Sequence, residues 1–205
     1  MKNYIIINNQ KIELTDEQVK LIMEAQNEGK SIQLADVPAG EVVKIGGYEL
    51  MVLEQMEGIT ALICKDLIGS DSQFGESNNY DGSYVDEICN SLSGAIADFV
   101  GEDNIVPHVV DLTSDDGLKD YGTVERRCSL LTADLYRRYV EILDKFKPDR
   151  WWWLATPFST KRHYNDSWVK CVSPSGYIRN NYCVNDYGHG VRPFCILKST
   201  IFVSK

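Results

Sequence analysis

The sequence predicts an α+β domain, and three observations carry that prediction. Two segments, 83–96 and 131–146, space their apolar residues for one face of a helix behind a capping Ser or Thr. Short apolar segments over 41–65 read as a β-meander ahead of those helices, and bulky segments from Trp151 onward read as strands after them. The two helices therefore sit between an early sheet and a late one.

Residues 3–7 and 10–14 read as strands around the polar pair Asn8-Asn9, which tolerates left-handed geometry. Thr15 then has the pattern of an N-cap, with Asp16 and Glu17 in a first turn and Gln18 at the capping-box position. Val19, Ile22, Met23 and Gln26 follow at helical spacing and Gly29 ends the helix. Residues 1–38, closed by Pro38 and Gly40, form a small strand–strand–helix appendage, and 41–205 form the main domain.

In the main domain, Val42, Val43 and Ile45 lead to a turn at Gly46-Gly47, and Leu50, Val52 and Leu53 lead through Glu57-Gly58 to Thr60–Cys64. Residues 69–83 are loop by composition, and Ser83 caps a helix carrying Val85, Ile88, Leu92 and Ala95. Residues 113–122 are loop again. Thr132 caps a second helix whose stripe is Leu135, Tyr136, Tyr139, Ile142, Leu143 and Phe146, stopped by Pro148. Trp151–Leu154 and Trp168–Val172 are strands. Pro174-Ser-Gly176 turns the chain back through Tyr177 and Ile178, a polar stretch runs to Gly190, and Val191–Leu197 closes the sheet.

A chain of 205 residues buries about 70% of its unfolded surface, enough for a core without staples. The net charge of −9 argues against a nucleic-acid partner, which is held by cations on phosphate, and against an anionic membrane surface. The charge is uneven: residues 160–205 hold seven Lys or Arg against two acids, so the C-terminal end either docks on the acidic body or presents a basic face. Nothing approaches a membrane span and the N-terminus lacks a signal-peptide pattern, so synthesis is expected in the cytoplasm with the six cysteines reduced. No cysteine pair has metal-ligand spacing, and no cofactor is implied.

The segments Trp151-Trp-Trp-Leu154, Gly176-Tyr-Ile178 and Gly190-Val-Arg-Pro193 resemble the ending of uncharacterised C-type-lectin-like domains of gut bacteria and their phages. Where that family reads Trp-Trp-Leu-Arg-Ser-Pro, this chain has Ala155 and Thr156 before Pro157. The meander, the Asn-rich loop before a helix and the Leu130-Leu-Thr-Ala-Asp134 helix start fit the same order, so the resemblance covers about residues 41–200. It implies a C-type-lectin-like fold and a likeness to the variable proteins of diversity-generating retroelements, which display hypervariable residues near the C-terminus. A phage or prophage origin and a place on a virion follow from that likeness alone.

The informative stretch is His163 to His189, where 15 of 27 residues are Asn, Asp, Tyr, His or Ser. Such a composition suits a contact surface, because Tyr gives area at low entropy cost and Asn and Ser give adaptable hydrogen bonds. The candidate ligand-binding residues are Tyr164, Asn165, Asp166, Trp168, Tyr177, Arg179, Asn180, Asn181, Tyr182, Asn185, Asp186, Tyr187 and His189. An ordinary polar loop would have a similar composition. Arg192 and Trp152 are read as structural: the first as a guanidinium in an ion pair or on loop carbonyls, the second as core. Asn165-Asp166 is half of a lectin calcium pattern, but Lys147 before Pro148 would repel the ion in the other half.

The sequence therefore reads as a non-enzymatic protein that binds a protein or glycan surface through residues 163–189. Two alternatives stand beside it. One is an oxidase related to formylglycine-generating enzymes, using Cys171, Cys183 and Cys195. The other is a passive assembly protein that forms a homo-oligomer through residues 1–38.

Overall fold

The computed structural model describes residues 4–7, 10–13, 15, 31–69 and 71–204, with 4–7, 10–13 and 180–182 described through their backbone alone. The Asn8-Asn9 turn and the helix expected after Thr15 lie outside the described residues. Strands β1 (Tyr4–Ile7) and β2 (Gln10–Glu13) pair antiparallel. Strand β3 (Ile32–Gln33) pairs far away in sequence, with Phe202 and Val203, and the next residues enter the core: Leu34 and Val37 are fully buried.

The centre of the molecule is an antiparallel sheet built from β4 (Val42–Ile45), β5 (Tyr48–Met56) and β6 (Ile59–Cys64), a meander joined by tight turns. Gly46 and Gly47 make the first of these turns with φ of 58° and 85°, a conformation open to Gly at no steric cost. Two distant segments extend the sheet, giving the strand order β4-β5-β6-β14-β9, with β9 at Cys128–Ser129 and β14 at Phe194–Lys198.

Successive strand residues face opposite ways, and here both faces are covered. Leu50, Val52, Leu62, Cys64, Cys195 and Leu197 face one cluster, which includes Val85, Cys89, Leu92 and Ile96 of helix α1 (Tyr84–Val100). Met51, Leu53, Ala61, Ile63 and Phe194 face the other, with Tyr136, Tyr139 and Leu143 of helix α2 (Ala133–Leu143). The side-chain oxygens of Ser83 and Thr132 cap the two helices by accepting from the N–H groups of Asp86 and Leu135. At its far end α1 stops at Gly101, whose φ is 86° and whose N–H returns to Ala97.

The second main sheet has the order β12-β11-β10-β13, formed by β10 (Trp151–Pro157), β11 (Trp168–Val172), β12 (Ile178–Cys183) and β13 (His189–Gly190), with the β10–β13 pair parallel. Short pairs complete the fold: β7 (His108–Asp111) with β8 (Thr123–Arg126), and β3 with β15 (Phe202–Val203).

The α+β, C-type-lectin-like expectation is overturned. Among the described residues strand clearly outweighs helix, with only two α-helices, and the fold is β-rich. The shortfall in the sequence reading has a physical source. Strands β7, β8 and β12 are short or polar segments without a clear apolar alternation, and they form by pairing with the neighbouring strand in the chain, β7 with β8 and β12 with β11. Helix α2 also ends three residues before the expected Phe146: the N–H groups of Lys145 and Phe146 bond three residues back, tightening the last turn. No helix among the described residues is long and apolar enough to cross a membrane.

Candidate functional site

Three segments carry the candidate residues: the 158–168 connection between β10 and β11, the β11–β12 hairpin, and the 184–188 loop before β13. The buried side chain of Asn78 organises the first. Its Nδ2 donates to the carbonyls of Ser159 (3.0 Å), Asn165 (3.2 Å) and Trp168 (2.9 Å), and its Oδ1 accepts from the Tyr121 hydroxyl (2.7 Å). Its backbone N–H donates to the Asp166 carbonyl at 2.7 Å. One amide from a distant loop thus satisfies three carbonyls of a segment that has local backbone bonds of its own, such as Phe158 N–H to Trp168 and Asn165 N–H to Thr160.

The 113–121 loop grips the same segment from the other side. Asp116 accepts from Ser114, Ser159 (2.6 Å) and His163 Nδ1 (2.9 Å), and Asp120 accepts from Thr160 (2.6 Å) and Arg162. The Ser114 and Ser159 hydroxyls, followed by His163, hold the Asp116 carboxyl well below the usual carboxylate range. Lys170, buried on β11, pairs with Asp115 at 2.6 Å.

At the hairpin end, aromatic rings run from the core to the surface. Phe74 meets the edge of Trp153 (5.7 Å), and Trp153 stacks on His189 (4.1 Å between centroids, 19° between planes). Trp151 lies 6.2 Å from His189 and 5.9 Å from Tyr177, which it meets at 88°. The Arg179 guanidinium caps the series, 5.7 Å from the Trp151 ring and 5.6 Å from the Tyr177 ring. Two glycines permit this packing. Gly176, at φ 87°, makes the hairpin turn, and a Cβ on Gly190 would stand 2.5 Å from Leu67.

The structure sorts the expected contact residues into two groups. Tyr164 (98% exposed, with φ 57°), Tyr187 (72%), Tyr177 (46%) and Trp168 (41%) stand open to solvent, as do Arg179 and Asn185. Others serve the scaffold. Asn165 Oδ1 accepts from the Trp168 N–H (3.2 Å), Asp186 Oδ2 accepts from the Cys183 N–H (2.9 Å), and Asp166 offers its carbonyl to Asn78. His189 is buried at 3% exposure, and burial lowers its pKa against the opposing charge of Asp186. Asn180, Asn181 and Tyr182 lie on β12 by backbone, and their side chains lie outside the described residues.

The exposed group is not one patch. Trp168 alternates with core residue Val169 and so faces away from it, where its ring lies 5.7 Å from Phe158. Tyr177 and Arg179 sit at the opposite end of β12 from Trp168, which pairs with Cys183. Trp151, Phe158 and Asn78 were missed by sequence reasoning. Trp151 could have been found from its place at the start of an exposed strand end, but the distant partners of Asn78 leave no local signal.

Arg192 is fully buried, and its donors reach the carbonyls of Cys64 (2.9 Å), Lys65 (3.2 Å) and Phe146 (2.9 Å) while the guanidinium lies 5.4 Å from the Trp152 ring. Burial pushes its pKa down to about 10. Trp152 is buried against Tyr136.

The geometry also bears on chemistry. Ser159, Asp116 and His163 come together, but Asp116 sits in the middle, and its carboxylate takes both the Ser159 hydroxyl and His163 Nδ1. In a Ser-His-Asp triad the imidazole takes the serine proton, whereas here the Ser159 hydroxyl and His163 both bond the Asp116 carboxylate and the imidazole is not on the hydroxyl. Burial pushes the Cys171 thiol up to about 12, which suppresses the thiolate that nucleophilic or metal chemistry would use. Among the described residues no group of three or more His, Cys, Asp or Glu is arranged to hold a metal ion. Comparisons with protein-family models, with curated proteins and with solved structures find no match.

Proposed function

We propose that this chain is a non-enzymatic binding module that engages a protein or glycan surface through the exposed residues of the β11–β12 hairpin and its neighbouring loops. One observation carries the reading: Tyr177 and Arg179 stand exposed on a series of rings anchored in the core at Trp153. Aromatic and arginine side chains of this kind dominate binding energetics when their conformation is fixed beforehand. Tyr164 and Tyr187, on the flanking loops, add adaptable area. The anchoring of Asp116, Asn165, Asp186 and His189 within the scaffold supports a rigid platform rather than a reacting constellation.

The test compares the wild type with the Tyr164→Ala/Tyr177→Ala/Tyr187→Ala variant on a glycan microarray and against a phage-displayed random-peptide library. The expected result is a set of ligands retained by the wild type and lost by the variant, with melting temperatures that agree. Equal retention by both proteins, or none by either, overturns the reading.

A further inference from the structure

The chain contains eight arginines, and seven of them donate to carboxylate or carbonyl oxygens. Arg126, for example, places Nε and Nη2 on the two oxygens of Asp86 at 2.9 and 2.7 Å. Arg179 is the exception: among the described residues it has no oxygen acceptor, and its contacts are the faces of Trp151 and Tyr177. In a chain with 30 acids against 21 Lys and Arg, an exposed guanidinium without an oxygen acceptor is an exception that needs a reason. A cation–π contact with rings uses none of the guanidinium N–H donors, which stay able to receive a carboxylate through charge-assisted hydrogen bonds.

The second observation concerns the strand that carries Arg179. In the order β12-β11-β10-β13, β12 is an edge, with no strand among the described residues on its outer side. Its six residues, Ile178–Cys183, include no proline, lysine or acid, which are common guards against strand addition. A pairing irregularity between Val169 and Cys171 breaks the β11–β12 ladder, so an added strand would pair over only a few residues and needs a further contact for affinity. Among the described residues, the free cation at this edge favours an acidic partner: Arg162, Lys170 and Arg192 are committed to Asp120, Asp115 and buried carbonyls, while Arg179 is exposed with its donors open.

Resting on the binding reading above, we infer that this site takes an extended acidic peptide segment of a partner protein, which adds to the β12 edge and places a carboxylate on Arg179. Main-chain pairing supplies a sequence-tolerant part of the affinity, and the carboxylate fixes the register.

The experiment starts from peptides that the wild type selects from a phage-displayed random library. Each is synthesised with every Asp or Glu in turn replaced by its amide, and binding is measured by calorimetry on the wild type, Arg179→Lys and Arg179→Gln. One acid-to-amide change is expected to weaken binding to the wild type about 10- to 100-fold, the worth of a charge-assisted hydrogen bond. The same change should have little effect on Arg179→Gln, with Arg179→Lys in between, and amide shifts should map to Ile178–Cys183. Melting curves of the variants control for folding. Selected peptides without an essential acid, or bound equally by Arg179→Gln, overturn the inference. If the wild type retains only glycans, the peptide inference falls while the binding reading stands. If it retains neither class, both fall.

Discussion

Replacing Asn78 with Ala tests whether one buried amide holds the candidate site in place. The Nδ2 group has two protons for three carbonyls, and Oδ1 accepts one more bond, so the side chain makes the equivalent of three full hydrogen bonds. At about 1 kcal/mol net each, Asn78→Ala should cost about 3 kcal/mol, and more if the abandoned carbonyls stay dry. For a chain of this size that lowers the melting temperature by about 6–12 °C. Tyr121→Phe removes only the hydroxyl bond and should cost about 1 kcal/mol. Urea denaturation followed by circular dichroism measures both values, and hydrogen exchange read by mass spectrometry locates the effect, with protection lost over 159–168 before the β4–β6 meander. If Asn78→Ala costs no more than Tyr121→Phe, or leaves exchange over 159–168 unchanged, the amide is not the organising group.

Titration and packing supply further tests. Burial depresses His108 to about 4, so the native state binds fewer protons than the unfolded chain between that value and 6.5. Stability then rises with pH across this window, by up to about 3 kcal/mol, and is fully present above it. His108→Gln, which can keep the bond to Ser129, should flatten the slope in urea titrations, and an unchanged slope would refute the assignment. Asp116 is depressed by its hydroxyl donors and His163, so its contribution is present above its ordinary value of 3.8 and lost as pH falls toward the folded value. Asp116→Asn should remove that part of the acid limb of the stability curve, measured as midpoint against pH. Arg192→Lys cannot span the carbonyls of Cys64, Lys65 and Phe146 with one ammonium and should cost about 2 kcal/mol by urea melt.

Much of the scaffold was legible because local chemistry decided it. Ser83 and Thr132 sit one residue before apolar spacing begins, and each caps its helix. The meander over 42–64 alternates between two buried faces and turns at glycines, both visible in one dimension. The fold class was not legible, because strands β7, β8 and β12 lack a clear apolar alternation and are set by pairing with their neighbouring strands, which composition does not show. The β10–β13 pairing joins Trp151 to His189 across 38 positions, and no periodicity signals it. The candidate site was legible as a segment but not as a surface. Composition drew one list from 163 to 189, whereas burial divides it, placing His189 under Trp153 and tying Asn165 and Asp186 to the backbone.

That division changes what natural variation should look like if the chain presents a contact surface. A composition argument would let all the Asn, Asp and Tyr positions vary together. The structure separates them by cost. Changing Tyr164, Asn185 or Tyr187 disturbs little packing and stays within about 0.5 kcal/mol of neutral. Changing Tyr177 or Arg179 gives up ring contacts on Trp151 worth about 0.5–1.5 kcal/mol, still less than the loss of a buried anchor. Changing Asn165 or Asp186 leaves the N–H of Trp168 or Cys183 without its acceptor, and changing His189 opens a gap against the Trp153 ring. Substitutions among close relatives should therefore concentrate at the first five positions and spare Asn78, Asn165, Asp186, His189 and Arg192. Equal variation in both groups would mean that selection does not distinguish contact from support, and the binding surface would lose its main structural argument.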